Sequence, residues 1–320
     1  MKRTLLNRIL FSVVILFALT FFVFLLSNMI RGNQLDVLLA GEDGGMSEET
    51  YNALMTEMGL DRPIPVRYLD WLGGFLHGDM GTSSLLNRPV GEVIRERIGP
   101  TLVLTGSALL LSVLISIPLG IMSAYKPYSF WDYFSSAVAF LGSSMPGFML
   151  CLFGIYLFAV KLRWVPTQGM YDTNSAHTVG NLLKHLVLSA TVSGLHMTGS
   201  LLKQTRSAVL EVMNEDYIKT ARSKGLGELA VVVKHGLRNA LIPIVTTISL
   251  TVPYLVGGSV VTEQIFSWPG MGSLIIRSIQ ARDYDPVMAA AVMICVMVLI
   301  TNILMDFIYV LIDPRLSKSG

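Results

Sequence analysis

The chain has 320 residues, of which 52% are hydrophobic and only 14% are charged. Soluble domains usually carry about 25% charged residues, so this composition argues against a soluble globular protein. The formal net charge is +2, and the charges are divided unevenly along the chain. The composition therefore predicts a membrane protein and gives no indication of a nucleic-acid partner.

Charged residues are absent from six long apolar runs. A helix needs about 20 mainly apolar residues to cross a bilayer, and it pairs its backbone polar groups internally. The sequence predicts an all-α membrane protein with six transmembrane helices, the first of which is too long for a cleaved signal peptide. The runs without Asp, Glu, Lys or Arg are 9–30, 98–125, 133–160, 185–202, 239–262 and 286–305.

The distribution of Lys and Arg among the loops predicts the orientation, because basic residues favour the cytoplasmic side. With the N-terminus inside, the inner segments carry 13 Lys and Arg, whereas the two short outer loops, 161–184 and 263–285, carry 5. Both termini are therefore predicted to lie in the cytoplasm. The inner segments are 1–8, 126–132, 203–238 and 313–320.

The outer loop 31–97 is predicted to be partly helical. Ser47 is a suitable N-cap for a short helix that Gly59 would end, and a second short helix is expected at 66–76. A glycine-rich turn follows at 78–83. The loop would cover the outer mouth of a pore, bind an external partner, or form a solvated ectodomain without a specific role.

Several predicted spans contain proline, which removes a helix hydrogen bond and kinks the axis. Pro118 and Pro146 lie in the second and third runs, and Pro243 and Pro253 lie in the fifth. Broken helices are tolerated in membranes where neighbours or a water-filled cavity satisfy the freed groups. These positions fit a transporter, although proline is frequent in membrane helices generally.

The inner segment 203–240 is the most informative part of the sequence. From Thr205 onwards, apolar residues at helical spacing predict an amphipathic helix that continues out of the fourth span and ends at Gly225. Glu228 is expected to open a second helix. This helix–turn–helix would lie on anionic lipid through its basic residues or dock on a protein partner. The apolar face of the first helix is predicted at 208/209, 212/213, 217 and 220/221.

The sequence contains no recognisable catalytic or metal-binding motif. There is no Gly-Lys dipeptide and hence no P-loop, and neither H-E-x-x-H nor G-x-S-x-G occurs. The five histidines have no metal-ligand spacing with cysteines or carboxylates. Cys151 and Cys295 lie within apolar runs and are interpreted as packing residues. No catalytic residue, metal or cofactor is therefore predicted.

Acidic groups near the ends of spans are candidates for function, because a carboxylate in lipid is costly and usually has a role. Glu263 lies at the outer end of the fifth span. Asp306 follows Asn302 by four residues near the inner end of the sixth. These three residues are predicted either to line a pathway or gate, or to occupy interfacial positions at helix ends.

The inner loop also carries a motif. Residues 216–226, D-Y-I-K-T-A-R-S-K-G-L, and 235–243, H-G-L-R-N-A-L-I-P, together resemble the EAA loop of ABC importer permeases, especially the dipeptide/oligopeptide branch. The letters E-A-A are replaced by Lys219-Thr220-Ala221, a departure usual in that branch. Shorter matches to the branch occur at 61–63, 67–68, 78–81, 266–272, 282–284 and 313–315.

The resemblance implies a type I ABC importer permease fold in the cell membrane. Residues 1–97 would form the first transmembrane helix and the extracytoplasmic loop region, 98–312 the five-helix permease domain with its coupling loop at 203–240, and 313–320 a cytoplasmic tail. The chain would be a non-catalytic subunit that forms half of a translocation pore for di- and oligopeptides.

The resemblance also implies partners: a second homologous permease, two ATPase subunits, an extracytoplasmic solute-binding protein, a peptide substrate and membrane lipid. The loop around Gly225 would be a coupling helix seated in a groove of the ATPase, which hydrolyses ATP as a separate chain. The missing P-loop agrees with this division of labour. The residues implied in coupling are Tyr217, Ala221, Lys224, Gly225, Leu226, Glu228, Arg238 and Asn239.

Two alternatives remain open from the sequence. Relatives of this branch carry nickel chelates, glutathione or oligosaccharides, and the sequence alone does not identify a substrate pocket. A secondary transporter would be expected to have charged residues near the centres of its spans and an inverted repeat, and the sequence has neither feature in recognisable form.

Overall fold

The computed structural model describes residues 2–29, 48–57, 59–173, 176–227, 231–257 and 259–312. These residues are mostly helical. They divide into two compact units, the first within 1–99 and 271–296 and the second within 100–270 and 297–320.

The secondary structure consists of helices and one short hairpin. In chain order the helices are α1 (Lys2–Met29), α2 (Glu48–Glu57), α3 (Ile64–Leu76), α4 (Val90–Tyr125), α5 (Phe130–Ser144), α6 (Gly147–Gly154), α7 (Val179–Met213), α8 (Asp216–Ser223), α9 (Leu237–Thr251), α10 (Tyr254–Gly257), α11 (Val260–Ile265), α12 (Met271–Gln280) and α13 (Tyr284–Ile312). Two π-helical segments, Ile155–Lys161 and Val231–Gly236, follow α6 and precede α9. Strands β1 (Thr82–Ser83) and β2 (Arg88–Pro89) pair antiparallel.

Two helices of the described chain are long and apolar enough to cross a membrane, namely α4 and, over Tyr284–Tyr309, α13. The helices α5 and α6, the latter with its π-helical extension, are bent by 104° relative to each other. If this bent pair is counted as one span, the described residues contain a third. Shorter apolar helices cover Val13–Met29 and Asn239–Thr251. The described residues therefore contain fewer helices that pass this test than the six predicted spans. The runs 133–160 and 239–262 are divided among shorter helices, whereas 185–202 and the described part of 9–30 fall in the continuous helices α7 and α1.

Of the prolines predicted to kink the spans, two lie inside a helix and two lie at a break between helices. Pro118 lies inside α4, which continues through it as one helix. Pro146 separates α5 from α6 because Met145, the residue before it, is extended (φ −88°, ψ 133°), as expected for a residue that precedes proline. Pro243 lies inside α9, and Pro253 falls in the break between α9 and α10.

The first unit contains two hydrophobic clusters. In one, the start of α4 packs on α12 and the start of α13, and its buried residues are Val90, Val93, Ile94, Met271, Leu274, Ala289 and Ala290. In the other, Phe24 of α1, Tyr68 of α3 and Met288 of α13 are buried together.

The hairpin is held by Asp283, which accepts hydrogen bonds from the Ser83 hydroxyl and from the Ser84 backbone N–H. The two short helices predicted in the outer loop are confirmed as α2 and α3.

The second unit is organised around the crossing of α5 and α7. A Cβ atom at Gly142 would overlap the Leu195 carbonyl oxygen, and one at Gly199 would lie 2.7 Å from the backbone nitrogen of Ser143. Only glycine therefore permits this approach, as is common where membrane helices pack closely. The Lys203 ammonium donates to the Ser143 hydroxyl (2.8 Å) at the same crossing.

Candidate functional site

The inner helix is interrupted where the sequence predicts a continuous one. Helix α7 ends at Met213, and α8 begins at Asp216, because Glu215 is extended (φ −70°, ψ 149°). The break changes which residues are buried. Ile218 and Ala221 are buried, whereas Tyr217 and Thr220 are exposed. The predicted continuous helix is thus wrong at residues 214–215, and the apolar face beyond them is shifted.

A small hydrophobic core fixes α8 in place. Ile218 and Ala221 pack against Val231 of the second π-helical segment, with Val212 and Met213 from the end of α7 alongside. The apolar side of α8 is therefore buried against other parts of the same chain. Only its other side is available to a partner.

The turn after α8 is built on glycine. Gly225 has a φ of +76°, a left-handed conformation that costs a residue with a Cβ atom about 1–2 kcal/mol. Its N–H donates to the Arg222 carbonyl (2.9 Å), and the Lys224 N–H donates to the Thr220 carbonyl (3.2 Å). These bonds close the end of α8 as the sequence predicts for a helix that stops at Gly225.

The outer side of α8 and its turn combines apolar and basic groups. Tyr217 and Leu226 are each 41% exposed. Lys219, Arg222 and Lys224 are also exposed, and Lys219 pairs with Asp216 at 2.8 Å. An exposed pair of this kind contributes little to stability, so these charges are suited to contacts outside the chain.

One hydrogen bond links α8 to α9. The Asn239 side-chain amide donates to the Tyr217 hydroxyl at 2.6 Å, across 22 residues of sequence. The structure thus brings Tyr217 and Asn239 together and leaves Lys224, Gly225 and Leu226 exposed at the turn.

Of the other residues expected in coupling, Glu228 and the side chain of Arg238 lie outside the described residues. Ala221 is buried in the core beneath α8.

An ion pair between a buried acid and a partly exposed base lies near this segment and was not expected from the sequence. Arg206 of α7 donates to Asp132 at the start of α5, and the Ser123 hydroxyl also donates to that carboxylate. The hydrogen bonds to Asp132 raise the pKa of the Arg206 guanidinium above its ordinary value. The sequence signal that could have revealed the pair is an acid immediately before the third apolar run, opposite a basic inner segment.

A cavity of about 600 Å³ lies in the second unit, lined by residues of α4, α6, α7 and the broken region from α9 to α11. Among the described residues that line it there is no Asp, Glu, Lys or Arg. Its polar lining consists chiefly of hydroxyl groups and one imidazole, from Thr105, Ser193, His196, Ser200, Ser259 and Thr262.

Hydroxyl groups meet at one wall of this cavity. The Thr262 oxygen accepts hydrogen bonds from the hydroxyls of Ser193 (3.1 Å) and Ser259 (2.9 Å). The Cys151 sulfur lies 3.9 Å from the same oxygen. The broken backbone between α9 and α11 places Thr262 in the first turn of α11, facing Ser193 on α7.

Of the residues predicted for a pathway or gate, Glu263 is placed outside the cavity lining. Glu263 is fully buried, and its carboxylate accepts a hydrogen bond from the Thr101 hydroxyl (2.9 Å). It belongs to a junction in which the Trp268 indole N–H donates to the Pro100 carbonyl (2.9 Å), and it is not part of the cavity lining. Asn302 is exposed on α13, and the Asp306 side chain lies outside the described residues.

The long apolar helices and the bent apolar helix pair are features of a helical membrane protein. The chain matches the model for binding-protein-dependent transport system inner membrane components over residues 116–318. It matches the N-terminal region of such membrane components over residues 1–105. The chain belongs to this family of inner membrane transport components.

Similar proteins cover the full length of the chain. A Brucella suis protein that bears the name peptide permease is 41% identical over 99% of both chains. The oligopeptide transport system permease protein AppB of Bacillus subtilis is 38% identical over 99% of this chain and 100% of its own. The dipeptide transport system permease protein DppB of Escherichia coli K12 is 35% identical over 93% of this chain and 94% of its own.

A solved structure shares the fold. A chain of the MetNI methionine ABC transporter, in an inward-facing conformation, superposes with a TM-score of 0.54 and 18% identity over 69% of this chain and 96% of that one. The predicted type I ABC importer permease fold is thereby confirmed.

Proposed function

We propose that the chain is the permease subunit of an ATP-driven, binding-protein-dependent importer of di- and oligopeptides. It forms half of the translocation pore and hydrolyses no ATP itself. The observation that carries this proposal is the exposed outer side of α8 and its turn, which packs on a buried core through its inner side. The full-length similarity to named peptide permeases supports the peptide cargo.

The arrangement of α8 favours a protein partner over a lipid surface. A helix that lies on a membrane turns its apolar face to the acyl chains. The apolar face of α8, formed by Ile218 and Ala221, is instead buried within the chain. What remains outside is Tyr217 and Leu226 among basic residues, and an apolar centre with a polar rim is the usual arrangement of a protein interface.

In this proposal the segment around Gly225 is a coupling helix that seats in a groove of an ATPase subunit. Leu226 supplies an apolar contact and Lys224 a charged one, with Glu228 as a second charged contact. Tyr217 passes movement to α9 through its hydrogen bond with Asn239. Ala221 allows α8 to pack closely on its support, and Arg238 helps to fix the loop to the membrane helices.

The proposed topology has six transmembrane helices and both termini in the cytoplasm. Residues 1–97 comprise the first span and the extracytoplasmic loop region, 98–312 the five-helix permease domain, and 313–320 a cytoplasmic tail. The working assembly adds a second homologous permease, two ATPase subunits and an extracytoplasmic solute-binding protein.

The uncharged cavity is this chain's wall of the solute pathway. Peptides differ in side-chain charge but share amide groups. A lining of hydroxyls without carboxylates or ammonium groups can hydrogen-bond to amides without selecting for charge. The pathway role is accordingly proposed for the wall around Thr262, whereas Glu263 is proposed to hold the junction beside it. Asn302 and Asp306 are proposed as gate residues because they lie near the inner end of the sixth span.

Reconstitution tests the proposal directly. The permease is purified with its second permease, ATPases and solute-binding protein, and inserted into liposomes. We expect labelled di- and tripeptides to stimulate ATP hydrolysis and to accumulate inside, and an ATPase variant that lacks its P-loop lysine to abolish both. Stimulation by a nickel chelate, glutathione or an oligosaccharide instead would contradict the peptide assignment. Failure of the permease to retain any ATPase subunit would contradict the importer assignment.

A further inference from the structure

Helix α3 packs against α1 deep within the first apolar run. The Tyr68 hydroxyl lies 2.8 Å from the Thr20 hydroxyl and donates to the Phe17 carbonyl at 3.3 Å. The Tyr68 ring also contacts the rings of Phe21 and Phe24 at centroid distances of 5.1 and 5.6 Å. Thr20 is the twelfth of the 22 residues in the run 9–30. The contact therefore falls near the middle of that run.

This contact sets the depth of α3. With a rise of 1.5 Å per residue, Thr20 lies about 14 Å along the helix axis from Met29 and about 18 Å from residue 8. If α1 crosses a hydrocarbon core of about 30 Å, Thr20 is near its centre. Phe24, which contacts Trp71 of α3 at 6.4 Å, lies about 8 Å below Met29. Even with the length of the aromatic side chains, α3 lies below the outer membrane surface.

The side chains of α3 divide into three sides. One side packs on α1 and α13 and consists of Ile64, Tyr68, Trp71 and Leu72. A second side exposes Val66, Leu69 and Leu76, at 42%, 62% and 72%, within an arc of about 80° at 100° per residue. The third side is polar, and its Asp70 pairs with Arg62 at 3.2 Å.

The exposed stripe of Val66, Leu69 and Leu76 is unusual for a solvated helix. Single exposed apolar residues are ordinary, but three large ones on the same side of one short helix mark a surface that is covered in the assembled protein. Helix α1 exposes large apolar residues of its own, such as Phe22 and Leu26, on the face that turns away from α3 at 100° per residue. The helix on which α3 packs therefore has the apolar exterior of a membrane helix.

We propose that α3 is embedded in the outer leaflet of the membrane, with the stripe against lipid acyl chains and the Arg62–Asp70 pair at the headgroups. An apolar side opposite a charged side is typical of helices that lie in the membrane interface. The inference rests on the proposed topology, in which α1 crosses the membrane. It changes the role of the outer loop, because α3 anchors that loop to the bilayer instead of leaving it free in solvent.

A matched pair of neighbouring cysteines tests the proposal. In a background with Cys151→Ala and Cys295→Ala, the Leu69→Cys variant reports on the stripe and Asp70→Cys on the polar side. Each is assembled with its partner subunits, inserted into liposomes and labelled with a fluorophore sensitive to polarity. We expect lipids brominated on the acyl chains to quench the probe at residue 69 strongly and the probe at 70 weakly. An impermeant maleimide should label Leu69→Cys more slowly than Asp70→Cys, because it reacts only with thiols that water reaches.

Three results would overturn the proposal. One is equal labelling of both positions from water. Another is slow labelling at residue 69 without quenching by brominated lipid, which would indicate a protein cover. The third is protection at residue 69 only after the solute-binding protein is added.

Leu76→Cys reports on the same stripe if Leu69→Cys does not assemble. Peptide uptake is measured on the same liposomes, so quenching without uptake would refute the proposed function and leave the lipid contact standing.

Discussion

The Arg206 guanidinium holds the Asp132 carboxylate at two points, with Nε 2.8 Å from Oδ1 and Nη2 3.0 Å from Oδ2. Asp132 is buried at the first turn of α5, and Arg206 lies on α7 ten residues before α8 begins. The pair therefore ties the base of the proposed coupling segment to a neighbouring helix. A planar guanidinium is the group suited to such two-point binding.

Replacement of Arg206 by alanine is expected to destabilise the protein, because it leaves the buried Asp132 carboxylate without its counter-charge. The expected loss is about 3 kcal/mol, at the lower end of the range for buried pairs since the Arg206 side chain is 33% exposed. Arg206→Lys should recover part of this loss. Thermal unfolding of the purified complex measures both. The double variant Asp132→Asn/Arg206→Ala should be more stable than Arg206→Ala alone, and purely additive losses would contradict the ion-pair explanation.

Replacement of Gly225 by valine is expected to uncouple transport from ATP hydrolysis while leaving membrane insertion intact. No atom lies within 4 Å of a Cβ built at Gly225, so the effect would come from the left-handed backbone alone. Gly227→Val is a matched control, because Gly227 also has open space but no positive φ. Uptake should fall by about tenfold in the first variant, and Gly225→Asn should retain most of it because asparagine tolerates this conformation. Wild-type uptake by Gly225→Val would refute the coupling assignment.

Replacement of Leu226 by serine is expected to weaken binding of the ATPase. Loss of a partly exposed apolar contact at an interface costs about 1–2 kcal/mol, or about 5–30-fold in affinity. The measurement is the amount of ATPase subunit retained by the purified permease over a dilution series. Leu250→Ser on α9 is the control, since Leu250 is more exposed than Leu226 but lies in an apolar helix. Equal retention by both variants would remove Leu226 from the interface.

Local signals account for the parts of the fold that the sequence predicts well. The end of α8 is recognisable because glycine after a basic last turn stops a helix, and α2 and α3 follow from caps and prolines within a few residues of each other. The apolar runs likewise identify membrane segments without knowledge of their neighbours. Each of these inferences depends on residues close together in the chain.

The features that sequence analysis missed depend on distant residues or on small shifts. Ser193 and Thr262 are 69 residues apart, and neither stands out because a hydroxyl group in a membrane helix is ordinary. Arg206 and Asp132 are 74 residues apart. The break at Glu215 shifts the exposed face of the helix by about one residue. The predicted apolar face allowed either of two neighbouring residues at several positions, so it could not detect a shift of this size.

Replacement of Thr262 by valine is expected to reduce peptide uptake more than it reduces assembly. Valine keeps the shape of threonine but removes the oxygen that accepts hydrogen bonds from Ser193 and Ser259. Leaving these donors without an acceptor costs about 1–3 kcal/mol and rearranges the wall of the cavity. Thr262→Ser, which keeps the hydroxyl, should transport nearly as well as the wild type.

Thr198→Val is the control for this experiment. Thr198 is also buried, but its hydroxyl donates only to the Gly194 carbonyl within α7, and it is not part of the cavity lining. Uptake of labelled tripeptide and ATP hydrolysis are measured in the same liposomes for all three variants. A loss of uptake with normal assembly in Thr262→Val, but not in Thr198→Val, assigns the hydroxyl-lined wall around Thr262 a role in transport. Equal losses in both would assign Thr262 a purely structural role.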